Sequence, residues 1–260
     1  MGGELLVAAV AGVVRLTLSR PAQHNALTPA LIERLLTELD GIDADSEARV
    51  VVLAGAGGAF CAGFDVGWLE SPGRADAGRE RDLVEALCAR VGRLRVPTLA
   101  AVSGVAAGAG CDLAVSCDVR FASEEARFAM PPARLGLLYG HQGLARLAGL
   151  VGPAVAKELL FSAELIDARR ALAVGLVNRV HPAERLEEET DRFARTVAAN
   201  APLPVAASKL VLDLVAGGSP LAAEAEAQIA AAQLRVWTSE DAVEGPRAFR
   251  ERRPPRFRGL

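Results

Sequence analysis

With 260 residues, 51% of them hydrophobic and 23% charged, the chain has apolar material for one large α/β domain and too little polar excess for disorder. A formal net charge of −3 offers no electrostatic footprint for nucleic acid or an anionic membrane surface. Four cysteines (Cys61, Cys88, Cys111, Cys117) without C-x-x-C spacing, and three scattered histidines (His24, His141, His181), exclude a disulfide framework and present no metal-ligand cluster. Arg15 interrupts the best apolar run, so no stretch reaches membrane-spanning length. Met1-Gly2-Gly3-Glu4 carries no basic n-region, and Leu6 stands where a myristoylation motif needs Ser or Thr. The expected compartment is the cytoplasm.

In chain order, Val7–Val10 and Val13–Leu18 flank Ala11-Gly12 and predict a hairpin at a sheet edge. Thr28-Pro29 starts a helix to about Asp40, with a capping residue before the proline. Val50–Ala54 is a β-branched run of the kind buried in a parallel sheet. The short apolar segment Val66–Leu69, a polar loop from Glu70 to Gly78 and a helix from about Glu80 to Leu94 follow. Thr98–Val102 and Val119–Ala122 read as strands around a Cys111–Cys117 helix. Alternation of this kind implies right-handed βαβ crossovers. Beyond Gly140 the pattern turns helical: Leu144–Leu150, Ala154–Ser162, Ala168–Val174, Glu184–Asn200, Pro204–Val215, Pro220–Thr238 and Asp241–Glu251, with Leu176–Val180 strand-like. The last helices are Ala-rich and amphipathic, so each is expected to bury one face against the core or a neighbouring subunit. The division expected is an α/β core over residues 1–200 and a helical region over 201–260.

Two turns of small residues follow strands: Phe60-Cys61-Ala62-Gly63-Phe64-Asp65, and Val105-Ala106-Ala107-Gly108-Ala109-Gly110-Cys111-Asp112. Glycine and alanine let backbone approach a ligand closely, and a helix N-terminus leaves N–H groups pointing outward. The N–H groups of Phe64 and Ala109 could be aimed at one oxygen, which describes an oxyanion hole. Close strand–helix packing is the structural alternative. A dinucleotide cradle is not, because Leu113 occupies the place of the third glycine. Cys61 almost completes a nucleophile elbow, but Ala59 stands at its first glycine position and an inert thiol is the better reading.

The chain resembles the crotonase, or enoyl-CoA hydratase/isomerase, superfamily along nearly its whole length. The resemblance is carried by Arg20-Pro21…Asn25-Ala26-Leu27, by both small-residue turns, by Phe128-Ala129-Met130-Pro131-Pro132 and by Leu135-Gly136. Val151-Gly152, Gly175-Leu176-Val177 and Glu251-Arg252-Arg253-Pro254 extend it. It implies an α/β fold with a crotonase (ClpP-like) ββα-superhelix core and a helical C-terminal region that trimerises. It implies an acyl-CoA thioester as substrate, no cofactor beyond that coenzyme A, and a homotrimer or dimer of trimers. The oxyanion donors carry over to Phe64 and Ala109, and Ala26, Ala62, Gly63, Asp65, Val66, Gly108, Pro132 and His141 to the substrate site. The basic tail with Arg252, Arg253, Arg256 and Arg258 would reach the CoA phosphates or remain solvated.

The acid/base positions depart from the family. Hydratases use two glutamates flanking a water; the first matches Asp112, one methylene shorter, and the second matches Pro132, which moves no proton. Losing such a group typically removes ~10²–10⁴ in rate, so the ordinary two-glutamate hydration is not expected. Asp112 also has a second reading, as a first-turn acid complementing the helix dipole. The stretch Phe128–Tyr139, with Lys157–Phe161, Arg170–Asn178 and Ser239-Glu240-Asp241, is similar to methylmalonyl-CoA decarboxylases. Those enzymes carry proline at the Pro132 position and a tyrosine, matching Tyr139, near the departing carboxylate; they carry histidine where Phe64 stands. Decarboxylation generates an enolate without a base. His141 could donate a proton or cap the following helix. Hydration or isomerisation, decarboxylation, and non-catalytic acyl-CoA binding stand as the alternatives.

Overall fold

The computed structural model describes residues 4–65, 67, 77–216 and 222–260. The hairpin is present: β1 (Leu5–Val10) pairs antiparallel with β2 (Val13–Leu18), turning at Ala11 (φ 49) and Gly12 (φ 81). α1 (Pro29–Ala44) begins at Thr28, whose hydroxyl accepts from the Leu31 N–H at 3.2 Å. After β3 (Val50–Gly55) come α2 (Ala77–Gly92), β4 (Thr98–Val102), β5 (Val105–Ala107), α3 (Ala109–Val115), β6 (Val119–Ser123) and β7 (Arg127–Ala129). Next are α4 (His141–Val151), α5 (Pro153–Ser162), β8 (Ile166–Asp167), α6 (Ala168–Ala173), β9 (Arg179–His181) and α7 (Ala183–Ala199). α8 (Pro202–Ala216), α9 (Ala223–Trp237) and α10 (Glu240–Glu251) complete the chain.

The main sheet has six strands in the order β1-β2-β3-β4-β6-β9, parallel from β2 onward. β4 is buried at every residue, and β3 at all but Gly55, which accounts for their uninterrupted apolar sequences. One face packs on α1, α2 and α3 through Leu35, Leu53, Leu87, Val102 and Leu113; the other packs on α7 through Val52, Phe121, Leu186 and Ala194. The arrangement bears out the expected α/β class.

A second, three-stranded sheet of order β5-β7-β8 lies beside the first. Its strands of two or three residues are too short to show a period of two, and the sequence reading took Val105–Ala107 as part of the glycine turn. Two boundaries are corrected as well. The strand placed at Leu176–Val180 is β9, Arg179–His181, because Leu176 and Val177 are spent on a buried turn off α6 whose N–H groups donate to Ala171 O. The helix placed at Cys111–Cys117 starts two residues earlier, at Ala109. Val66, Trp68, Leu69 and most of the Glu70–Gly78 loop lie outside the described residues; Ala77 and Gly78 already belong to α2.

α8 and α9 pack on one another, yet neither buries a residue in this single chain. Leu212 (65% exposed), Leu234 (65%), Trp237 (81%) and Phe249 (86%) stand open on these helices and α10. Among the described residues no single helix is long and apolar enough to cross a membrane.

Candidate active site

The two turns meet, and the segment with Arg20 and Asn25 is what brings them together. The Phe60–Asp65 turn lies between two strips of backbone. On one side the Cys61 N–H donates to Val105 O at 3.0 Å and Cys61 O accepts from Ala107 at 3.0 Å. On the other, Ala62 N–H donates to His24 O (2.9 Å), Leu27 N–H to Gly63 O (2.7 Å) and Asp65 N–H to Leu27 O (2.9 Å). Leu27 thus uses both neighbours of Phe64, and the Phe64 N–H faces away from it, toward the N-terminus of α3. Arg20 locks the turn by donating to Ala26 O at 2.5 Å and to Asp65 Oδ2 at 3.0 Å.

Asn25 is fully buried in a left-handed conformation (φ 58), which asparagine tolerates better than most residues. Its amide donates to Ala56 O (2.9 Å) and Ala59 O (2.7 Å), and its Oδ1 accepts from the Arg20 N–H at 2.8 Å. Asn25→Ala removes all three bonds and leaves a buried carbonyl unpaired. Its expected cost is roughly 2–4 kcal/mol of stability, measured by chemical denaturation.

Close backbone approach explains the glycines. A Cβ at Gly63 (φ 106) would stand 2.8 Å from Ala107 O and 3.5 Å from Ala109 N. A Cβ at Gly110 would meet Cys61 O at 2.1 Å. The Phe64 and Ala109 nitrogens therefore border one crevice, and among the described residues neither donates to a protein acceptor. Its other wall is Tyr139: a Cβ on Gly108 would lie 3.5 Å from the phenol oxygen. Tyr139 is partly buried against the core and its hydroxyl has no hydrogen-bond partner among the described residues. Burial, reinforced by nearby Cys111 and Asp112, pushes the phenol up from its ordinary range, so it is a neutral donor at any working pH.

Of the other residues singled out in the sequence, Ala26 and Gly63 are buried at the crevice's rear, while Ala62 is exposed and Asp65 belongs to the Arg20 lock. Val66 lies outside the described residues. Pro132 is buried and opens a 3₁₀ turn, Pro132–Leu135. His141 is exposed in the first turn of α4, and the capping position is Gly140 rather than His141. Asp112 is 4% exposed, and both its carboxylate oxygens accept from Arg146 Nη2, at 3.1 and 3.2 Å. It is a buried carboxylate held in an ion pair with Arg146. Burial pushes the Cys61 and Cys111 thiols up to about 12, which makes both inert. Among the described residues no three His, Cys, Asp or Glu side chains gather as a metal site.

The sequence names Arg20 without giving it a role at the turn, and leaves Arg146 and Glu85 unmarked. Gly140 carried the signal for Glu85, as Gly143 did for Asp112. A Cβ at Gly143 would stand 2.9 Å from Asp112 Oδ2, and one at Gly140 would stand 2.4 Å from Glu85 Oε2. Gly140, at the cap of α4, and Gly143, in its first turn, leave room for the two carboxylates.

The basic tail is not loose. Asp241 accepts from the Arg258 and Gly259 N–H groups at 2.7 and 2.8 Å, and Glu244 binds Arg253 through both oxygens. That guanidinium, with the Arg256 N–H, draws the Glu244 carboxyl down to about 2. A cavity of ≈ 720 Å³ lies among these residues, lined in part by Arg247, Arg256 and Arg258, and none of its lining comes from the two turns.

The sequence profile of the enoyl-CoA hydratase/isomerase family matches residues 8–259. The 2,3-dehydroadipyl-CoA hydratase of Escherichia coli (strain K12) is 37% identical over 261 residues, covering 98% of this chain and 99% of that protein. The mitochondrial methylglutaconyl-CoA hydratase of Rattus norvegicus is 32% identical, covering 95% of this chain and 80% of that protein. The crystal structure of an enoyl-CoA hydratase from Bacillus anthracis superposes with a TM-score of 0.94 at 32% identity, covering 99% of this chain and all of that one.

Proposed function

Because the chain belongs to the enoyl-CoA hydratase/isomerase family, we propose that it processes an acyl-CoA thioester through an enolate whose oxygen is held by the N–H groups of Phe64 and Ala109. The observation that carries this reading is the pair of unengaged donors on one crevice, in a neighbourhood where Leu27, Ala62, Asp65 and Ala107 all have acceptors. One such donor is typically worth ~10²–10³ in rate. Coenzyme A enters as part of the substrate, and the cytoplasm is the compartment expected for it.

Ordinary hydration by two glutamates fits poorly, since Pro132 holds no proton and Asp112 is bound to Arg146. Decarboxylation of a malonyl-CoA-type substrate is the second reading, favoured by the Tyr139 hydroxyl beside Gly108. Loss of CO2 forms the enolate directly, and a neutral phenol can orient the departing carboxylate. Tyr139→Phe is expected to slow methylmalonyl-CoA decarboxylation by about tenfold or more, with the affinity for butyryl-CoA within about threefold of the parent. Turnover of crotonyl-CoA but not methylmalonyl-CoA would select hydration. Calorimetric binding of butyryl-CoA without turnover of either would leave a binding protein.

Residues 201–260 form the oligomerisation region in this reading. The exposed Trp237, Leu234 and Phe249 support a homotrimer or dimer of trimers. Light scattering at micromolar concentration is expected to return one of these masses, and a stable monomer would refute it.

A further inference from the structure

Both chemistries above end or begin with a proton at C2 of the acyl group, and neither Pro132 nor the Arg146-bound Asp112 is free to move it. One carboxylate near the crevice is free. Glu85, on α2, is half-buried, and its carboxylate lies against Gly140, the residue after Tyr139. Among the described residues no hydrogen bond or ion pair engages it, although Arg81, one turn back on α2, feels its charge. Its position is not incidental to α4. Gly140, Gly143 and Arg146 recur at a spacing of three along that helix, facing Glu85, Asp112 and Asp112 in turn. Cys88, one turn along α2 from Glu85, lies close enough to Asp112 and Arg146 to feel both. Asp112 and Glu85 thus both border the start of α4, and its guanidinium, Arg146, is committed to Asp112.

We propose that Glu85 is the catalytic proton shuttle, supplying from α2 the carboxylate that position 132 lacks. The inference rests on the acyl-CoA reading. In the step assigned to it, a Glu85 oxygen takes the proton from C2 and the C2–H electron pair becomes the C1=C2 bond. The carbonyl π pair moves onto oxygen, where the Phe64 and Ala109 N–H groups hold it. Return of the same proton to C2 reverses the step, and delivery to an enolate left by another route, such as loss of CO2, completes that reaction instead. The charged and titratable groups around Glu85 are Arg81 and Asp82 on its own helix, which are exposed and bonded to each other, Cys88, Asp112 on α3, and Tyr139, His141 and Arg146 on the α4 side.

The test is exchange of the C2 hydrogens of butyryl-CoA in D2O, followed by NMR with the full-length protein, because it reads the shuttle without presupposing the product. The parent is expected to exchange them. Glu85→Gln should lower the rate at least a hundredfold. Glu85→Asp, shorter by a methylene, should retain part of the rate. Calorimetry of the same ester is expected to give dissociation constants within about threefold across the three proteins. Thermal melting of both variants guards against misfolding, since either one folded and inactive is informative. Exchange by Glu85→Gln at the parental rate, or binding without exchange in the parent, overturns the role of Glu85 and leaves the acyl-CoA reading standing. Failure of the parent to bind butyryl-CoA overturns that reading itself.

Discussion

Gly110→Ala is expected to lower turnover of any acyl-CoA substrate by about two to three orders of magnitude while the protein remains folded. The reason lies in main-chain contact. The added Cβ would sit 2.1 Å from Cys61 O and 2.8 Å from the Cys61 carbonyl carbon and Cβ. None of these is the far end of a flexible side chain, so the N-terminus of α3 must move away from the Phe60–Asp65 turn. Ala109 lies at that N-terminus and moves with it. A donor displaced by ~1 Å no longer meets the oxygen that Phe64 addresses, and misplacement of that size alone costs about 10²-fold. Helix propensity works in the opposite direction, since alanine outranks glycine in a helix interior. Stability should therefore fall by less than kcat, and steady-state kinetics set against thermal melting separates the two effects.

Pro132→Glu is expected to raise crotonyl-CoA hydration by about tenfold to a hundredfold over the parent, part of the ~10²–10⁴ that a positioned acid/base group contributes. The position suits the exchange. Pro132 is buried at the start of a 3₁₀ turn, and the bond that closes it, Leu137 N–H to Pro132 O at 2.9 Å, uses a carbonyl that any residue supplies. If the proposed grip by Phe64 and Ala109 holds the thioester in the parent, the new carboxylate need only activate water. Asp112 stays bound to Arg146 in the variant and is not available as its partner; the second carboxylate in this chain is Glu85. Hydration no faster than the parent's, in a folded variant that still binds butyryl-CoA, would mean that the crevice holds no water where a glutamate at 132 can reach it.

The elements that position the site were largely legible because their signals are local. Continuous apolar runs marked β3 and β4, and small residues after each marked backbone approach. Thr28-Pro29 marked the start of α1. The three-stranded sheet escaped because Val105–Ala107 and Arg127–Ala129 are each too short to display a period. The proposed oxyanion donors, Phe64 and Ala109, were legible because a main-chain role follows from small residues in a turn. Side-chain partnerships across the fold left no local trace: Arg146 reaches Asp112 over 34 positions, and Glu85 looks in sequence like any polar residue on a helix. Asp112 shows the consequence. The sequence placed it in the first turn of its helix, as the structure has it, yet the ion pair with Arg146 is a property of how α4 packs.

The lacing of the Phe60–Asp65 turn also bears on how activity and folding are linked. Its two borders come from residues 24–27 and 105–107, so the crevice closes only when three segments remote in sequence have met. Bringing such segments together costs loop-closure entropy that is recovered only once all the contacts form. A partly folded species that keeps the parallel sheet but releases the Asn25 loop has the strands and not the site. In the proposed reading, catalytic competence therefore requires all three segments in place, and activity is expected to be lost when any one of them opens.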